Sequence, residues 1–318
     1  MRTHRLLLLA AVVVPVLWGQ LPHAQAQSPK FLLGLVSISA NEANNARFIR
    51  GAQKEAAAKG WTVSVIDAAG SADQANAAIQ NLVQRKAGAI IDLVFPATSL
   101  GAGLAAARAA NIPVATWGGG LGNGIVATNG SGGPLAIPII TAAAAYLGPN
   151  GSLLALTYHT GEVCRQREEV MDGILAKTPG IKVTKNEVRI PGYFQDGAQY
   201  ATAWLAAHPA GGKLAIWGCW DDPAIGAISA LRQQMRTDVK VYGENGNAQA
   251  IAAIQKGFME ATAWQNSEQE GVTLVDTVAD AIAAGKSWQP KAVEVPPVVV
   301  TLATVADFIK EHPDALGK

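Results

Sequence analysis

Asp221 and Asp222 put two carboxylates side by side, Arg165 and Arg167 stand two residues apart, and three of the eight tryptophans, Trp117, Trp220 and Trp264, end short apolar runs. Paired carboxylates can serve acid–base chemistry, but adjacent residues entering a helix point apart, so helix capping accounts better for this pair. No G-x-S-x-G elbow or phosphate-binding G-x-x-x-x-G-K-[ST] loop occurs, and beyond residue 26 the only histidines are His159, His208 and His312, at no metal-ligand spacing. Catalysis, a metal and a cofactor are therefore not expected. Recognition suits the residues better. A guanidinium offers planar, multiple donors to hydroxyl or carboxylate oxygens. An indole face against the C–H face of a ring, with amides at the rim, holds a small polar molecule. Each tryptophan is equally a candidate for core packing.

The elements that must position these residues alternate regularly. In the first half the pattern predicts strands over 31–36, 62–66, 89–94 and 113–117, with helices over 44–59, 73–85 and 99–109. Phe48, Ala52 and Ala56 form an apolar stripe at i, i+4, i+8 on the first helix. Each strand reads as a near-continuous apolar run, the pattern of parallel strands covered on both faces. Residues 126–133, polar and Gly-rich, interrupt the rhythm and read as a crossover, followed by an Ala-rich helix to about residue 147. A second series predicts strands over 152–157, 182–190, 214–217 and 239–242, with helices over 164–177, 196–207 and 223–236. A helix to 257, a strand over 260–264, a helix to 284 and a strand near 298–301 complete the chain. The fold class is therefore α/β: two doubly wound lobes, parallel sheets flanked by helices, and a cleft at the carboxyl ends of the strands.

Composition bounds the setting. Arg2 and Arg5 precede an uncharged apolar run over 6–18, and Ala24-Gln25-Ala26 follows, so residues 1–26 read as a secretory signal peptide cleaved near Ala26. The run is short for a membrane span, and no later stretch reaches the roughly 18 apolar residues a span needs. Cleavage removes two of 25 basic residues and none of the 24 acidic ones, so the net charge moves from +1 to −1. That balance argues against nucleic acid as a partner, because phosphate binding needs clustered Lys and Arg. Cys164 and Cys219 lie in an oxidising compartment if the chain is exported: they either pair or stay as two buried thiols.

Several segments, in this order, resemble the ribose-binding-protein-like family of periplasmic solute receptors, whose type I fold is shared with the ligand domains of lactose-repressor-type regulators. They are Gly34-Leu-Val-Ser37, Gly51-Ala-Gln-Lys-Glu55, Ala110-Asn-Ile-Pro-Val114, Arg165-Gln-Arg-Glu-Glu169 with Gly173, Trp220-Asp-Asp-Pro-Ala-Ile-Gly-Ala227, Val241-Tyr-Gly-Glu-Asn-Gly246 and Val300-Thr-x-x-Thr-Val-Ala-Asp-Phe308. The resemblance covers essentially all of the chain after the leader. It implies three hinge crossovers, near 128–129, 265–266 and 296–297. One lobe would hold residues 28–129 plus 266–296 and the other 130–265 plus 297–318. It also implies a sugar- or polyol-sized ligand bound by hinge closure, a permease of an ABC importer in the inner membrane as partner, and a monomer in the periplasm. A chemosensory receptor is the alternative protein partner.

The resemblance carries site residues as well. Glu42, Asn44 and Asn45 stand where the family places an Asn and two sugar-stacking aromatics, with helix capping the plain alternative for Asn44. Trp117 precedes Gly118-Gly-Gly120, where pentose binders of the family carry an Asp-Arg pair. Arg167 matches the cleft arginine, and positive charge at a helix start is locally unfavourable, which favours a functional reason for it. Tyr193 and Phe194 stand at the position of a stacking ring, Trp220 replaces an Asn and is followed by Asp221, Asn245 replaces an Asp, and Gln265 matches a Gln. Loss of the Asp-Arg pair and gain of two tryptophans make a heterocyclic or aromatic solute the competing ligand class.

Overall fold

A computed structural model describes residues 31–122 and 124–316. The expected signal peptide and its cleavage point lie outside the described residues. Among those described, no helix is long and apolar enough to cross a membrane.

The chain runs β1 (Leu32–Ser37), α1 (Ala43–Ala58), β2 (Thr62–Asp67), α2 (Ala72–Gln84), β3 (Ala89–Leu93), α3 (Gly101–Ala109), β4 (Val114–Trp117) and β5 (Ile125–Asn129). It continues α4 (Gly133–Leu147), β6 (Ser152–Thr157), α5 (Glu162–Leu175), β7 (Lys182–Glu187), α6 (Tyr193–Ala207), β8 (Leu214–Gly218), α7 (Asp221–Gln233) and β9 (Val239–Asn245). The last elements are α8 (Ala248–Gln255), β10 (Ala261–Trp264), α9 (Ser267–Ala284), β11 (Lys291–Ala292), β12 (Val298–Thr301) and α10 (Val305–Glu311). Two six-stranded sheets result, ordered β2-β1-β3-β4-β5-β11 and β7-β6-β8-β9-β10-β12, the same plan used twice. All recorded pairings are parallel except β10 with β12, at the edge of the second sheet.

The central strands are buried runs such as Ala89-Ile-Ile-Asp-Leu93 and Leu214-Ala-Ile-Trp-Gly218, covered on both faces as expected. The outer strands β2 and β7 depart from that expectation. Thr62-Val-Ser-Val-Ile-Asp67 is only half-buried and Lys182-Val-Thr-Lys-Asn-Glu187 is largely exposed, because an edge strand has one neighbour and is blunted by charge. Of the stretch 126–133 read as a crossover, residues 126–129 belong to β5. Their polar side chains find partners inside: Thr128 Oγ1 meets Thr116 Oγ1 at 2.8 Å, and Asn129 Nδ2 donates to the Glu270 carbonyl at 2.9 Å, while Asn129 Oδ1 has no hydrogen-bond donor.

The chain passes between sheets three times: after β5 into α4, after β10 into α9, and between β11 and β12. The second passage packs α9 against α1 through glycines. A Cβ on Gly51 would lie 1.9 Å from the Glu268 carbonyl oxygen, and one on Gly271 would lie 2.3 Å from that of Phe48. Gly51→Ala is therefore expected to force the two helices apart, costing about 1–3 kcal/mol by overpacking and more than cancelling the roughly 1 kcal/mol that Ala gains in a helix. Urea unfolding checks this; a midpoint at or above that of the parent protein would show that the helices separate freely.

Candidate functional site

Strand direction decides where the site lies. The carboxyl ends of β1, β3 and β4 in one lobe face those of β6, β8 and β9 in the other, and the loops leaving them line a cavity of about 50 Å3. Two links hold the lobes together on either side of it. The Glu162 amide at the start of α5 donates to the Val94 carbonyl at 3.0 Å. The Arg47 guanidinium on α1 donates to the carbonyls of Asn245 and Gly246, at 2.6 and 3.0 Å, beyond β9. Val94 and Asn245 both have positive φ, 81° and 98°. For a β-branched valine that is a strained backbone, retained here at a point where the lobes touch.

Eight of the ten sequence-derived ligand candidates line this cavity: Glu42, Asn44, Asn45, Trp117, Arg167, Trp220, Asn245 and Gln265. Many of their polar atoms are already bonded within the protein, while Glu42 Oε1, Arg167 Nε and Trp220 Nε1 have no hydrogen-bond partner. Asn44 Nδ2 donates to Gln265 Oε1 at 2.9 Å, and its Oδ1 accepts from Arg47 at 2.7 Å and from the Ser267 hydroxyl. Asn45 Nδ2 donates to the Ser39 carbonyl at 2.8 Å. Gln265 Nε2 and Trp117 Nε1 both donate to Glu270 Oε2, at 2.8 and 2.7 Å. Arg167, almost wholly buried, donates to the Cys219 carbonyl and, at 2.8 Å, to Asn245 Oδ1, and its Nε lies 3.5 Å from Glu244 Oε2. The capping reading belongs to Glu42 rather than Asn44: Glu42 Oε2 accepts from the Asn45 amide at 2.8 Å and starts α1.

The aromatic walls are Trp117, which stacks on Phe48 at 4.8 Å, and Trp220, met edge-on by Tyr158 at 5.9 Å and by Tyr193 at 5.5 Å. Cys164 lines the cavity and is joined to Cys219 by a disulfide, their Cα atoms 5.4 Å apart.

Two candidates fall elsewhere. Helix α6 starts at Tyr193 rather than at 196, which turns Phe194 outward onto a partly exposed face, and only Tyr193 leans on Trp220. Asp221 is buried beneath the site, where it accepts from the Asn247 amide at 2.6 Å and the Thr262 hydroxyl at 2.7 Å. The third strand-end tryptophan, Trp264, packs edge-on against Phe308 at 5.3 Å instead of lining the cavity.

Burial dominates the electrostatics. It pushes Asp221 and Glu244 up to about 7, and Asp222 and Glu270 up to about 8, and it raises Glu42. The same burial lowers Arg47 and Arg167, against the pull of the nearby carboxylates. Arg47, Glu244 and Glu270 were not anticipated. Arg47 alone left a signal, one turn beyond Asn44 on the same helix face. Among the described residues no cluster of His, Cys, Asp and Glu is placed to hold a metal.

Two similar parallel α/β lobes, joined by three passages and closed over a walled cavity at the strand ends, define a two-lobed solute receptor. The chain belongs to the periplasmic binding protein domain family, which it matches over residues 34–287. It is 27% identical over 292 residues to the ribose import binding protein of Bacillus subtilis (strain 168), covering 89% of this chain and 91% of that protein. In structure it is similar to an ABC transporter solute-binding protein from Agrobacterium vitis with bound allitol (TM-score 0.82, 23% identity, 89% of this chain and 99% of that one). It is also similar to an ABC sugar transporter subunit from Rhodobacter sphaeroides 2.4.1 (TM-score 0.78, 26% identity, 85% and 98%).

Proposed function

We propose that this chain is the periplasmic solute-binding subunit of an ABC importer. It takes up a small polar solute, of the sugar or polyol class, by closing its lobes about the three passages, and it makes no covalent change to that solute. The observation that carries the reading is the cavity itself, beside which Arg47 on one lobe and the Glu162 amide on the other each reach across to the backbone of the opposite lobe. Hinge residues near 128–129, 265–266 and 296–297 would let those contacts break, giving lobes of residues 28–129 plus 266–296 and 130–265 plus 297–318. The receptor acts as a monomer and hands its ligand to a permease in the inner membrane. Family membership and the likeness to a ribose import binding protein support this role.

The aromatic walls offer a surface for the C–H face of such a solute. A thermal-shift screen of the protein lacking residues 1–26, across sugars, polyols, nucleosides and small aromatics, tests the reading. A true ligand at about 100 times its Kd adds about 2.7 kcal/mol and raises the midpoint by several degrees. Silence from every sugar and polyol would overturn the ligand class, and silence from the whole set would overturn the receptor role.

A further inference from the structure

Hinge motion does not treat the carboxyls around the cavity alike. Glu244 faces Arg167 and accepts from Trp217 Nε1 at 3.1 Å, and Asp221 accepts from Asn247 and Thr262, all within the second lobe. Glu270 on α9 accepts from Trp117 of its own lobe and from Gln265 at the passage after β10. These bonds lie inside one lobe or at a passage, so parting the lobes need not break them.

Glu42 and Asp222 instead stand on opposite sides of the lobe boundary. Glu42 is buried on the loop from β1 into α1, where its Oε2 caps α1 and its Oε1 has no hydrogen-bond partner. Asp222, half-buried in the first turn of α7, accepts from Asn247 Nδ2 at 3.0 Å. The Asn247 side chain also lies beside Glu42, so one amide stands between two carboxyls of different lobes. The neighbouring cations are engaged elsewhere. Arg47 on α1 gives its Nη donors to Asn44 and to two carbonyls of the second lobe, and Arg167 on α5 gives its own to the Cys219 carbonyl and Asn245. Asp221 adds a further carboxyl beside Asp222. Tyr193 on α6 stands near both acids, its hydroxyl pushed up to about 12 by burial and therefore uncharged near neutrality.

Taking lobe closure as proposed above, we infer that closing takes up a proton, held by the Glu42–Asp222 pair across the boundary, so that acid favours the closed form. The charge balance has the sign this needs. Burial raises both acids, and the charge of Glu42 helps bring Asp222 up to about 8. With the lobes apart, both carboxyls meet water and return to roughly 4. The gain is therefore present at low pH and is lost as pH rises through the closed-form value. Between those limits one proton changes the closing constant by up to about tenfold per pH unit.

Calorimetric titration with D-ribose and with allitol at pH 7, in phosphate and in Tris, reads proton uptake from the difference in heat. About one proton per bound solute is expected. Uptake should fall towards zero in Glu42→Gln with Asp222→Asn, whose amides imitate neutral carboxyls and keep the oxygen that caps α1; Glu42→Gln alone serves if the double variant does not fold. Where a probe binds, the uptake decides. Binding without it overturns the inference and leaves the receptor role standing, and uptake that survives the variant overturns the assignment to this pair. Where neither probe binds, X-ray scattering of the solute-free protein decides. A smaller radius of gyration at pH 5.5 than at pH 8.5, with the variant small at both, supports the inference; a radius indifferent to pH overturns it, and the broader screen then judges the receptor role.

Discussion

Arg167→Ala is expected to remove about 3–5 kcal/mol of stability from the folded chain as well as most of its ligand affinity. Matched only to the family's pattern, Arg167 would be a clamp whose loss spares the fold. The structure makes it a buried keystone. Its guanidinium joins the Cys219 carbonyl, the Asn245 side chain and the Glu244 carboxylate, which belong to the ends of β8 and β9. Truncation would leave Glu244, fully buried, with Trp217 Nε1 as its one remaining donor. It would also free Asn245, whose positive φ is held partly through that side chain.

The pH dependence of this loss has a definite sign. Burial already raises Glu244 to about 7, above its unfolded value near 4.3, so the folded protein binds more protons than the unfolded one between those limits. Stability from this group is therefore greatest at low pH and is lost as pH rises through the folded value, the more so once Arg167 is gone. The penalty of Arg167→Ala should be smaller at pH 5.5 than at pH 8, and Arg167→Met with Glu244→Gln should recover much of it. Urea unfolding of the single and double variants reads both effects; equal losses at the two pH values would show that Glu244 is not the group left exposed to the penalty.

The alternation of apolar runs and helices made the two-lobed α/β plan legible because a parallel sheet buried on both faces writes itself as apolar segments. The errors fall where neighbours supply what the sequence lacks. In β5, Thr128 and Asn129 look like loop residues, and only Thr116 and the Glu270 carbonyl make them acceptable in a strand. In the site, residues at the strand ends were visible because topology places them there. Asp221 shares that position but is consumed by Asn247 and Thr262, contacts made by residues 26 and 41 positions away. Phe194 was displaced by a helix starting three residues early, which rotates a ring from the cleft to the surface. Glu270 acts between elements that meet only after folding, so no spacing along the chain could announce it, and the i, i+3 spacing of Arg47 from Asn44 shows a shared helix face but not the opposite lobe that Arg47 reaches.

Replacing both cysteines, Cys164→Ser with Cys219→Ser, is expected to cost about 4 kcal/mol, the loop-closure entropy of a bridge spanning roughly 55 residues. The argument reaches the ligand because of what the bridge joins. Cys164 lies in the first turn of α5, one turn before Arg167, and Cys219 lies between β8 and Trp220. The covalent link therefore ties the arginine and the tryptophan of the cavity wall to one another, and the Cys219 carbonyl is itself an Arg167 acceptor. Serine at both positions should lower the unfolding midpoint by roughly 8–16 °C, at about 2–4 °C per kcal/mol for a chain of this size, and should weaken binding of any ligand found in the screen. The bridge is buried, so reductant acts on it mainly after opening, and the double serine variant is the cleaner comparison. Two titratable thiols in the denatured, unreduced protein, together with an unchanged midpoint in the variant, would show that the two cysteines stay apart and that packing alone sets the geometry of Arg167 and Trp220.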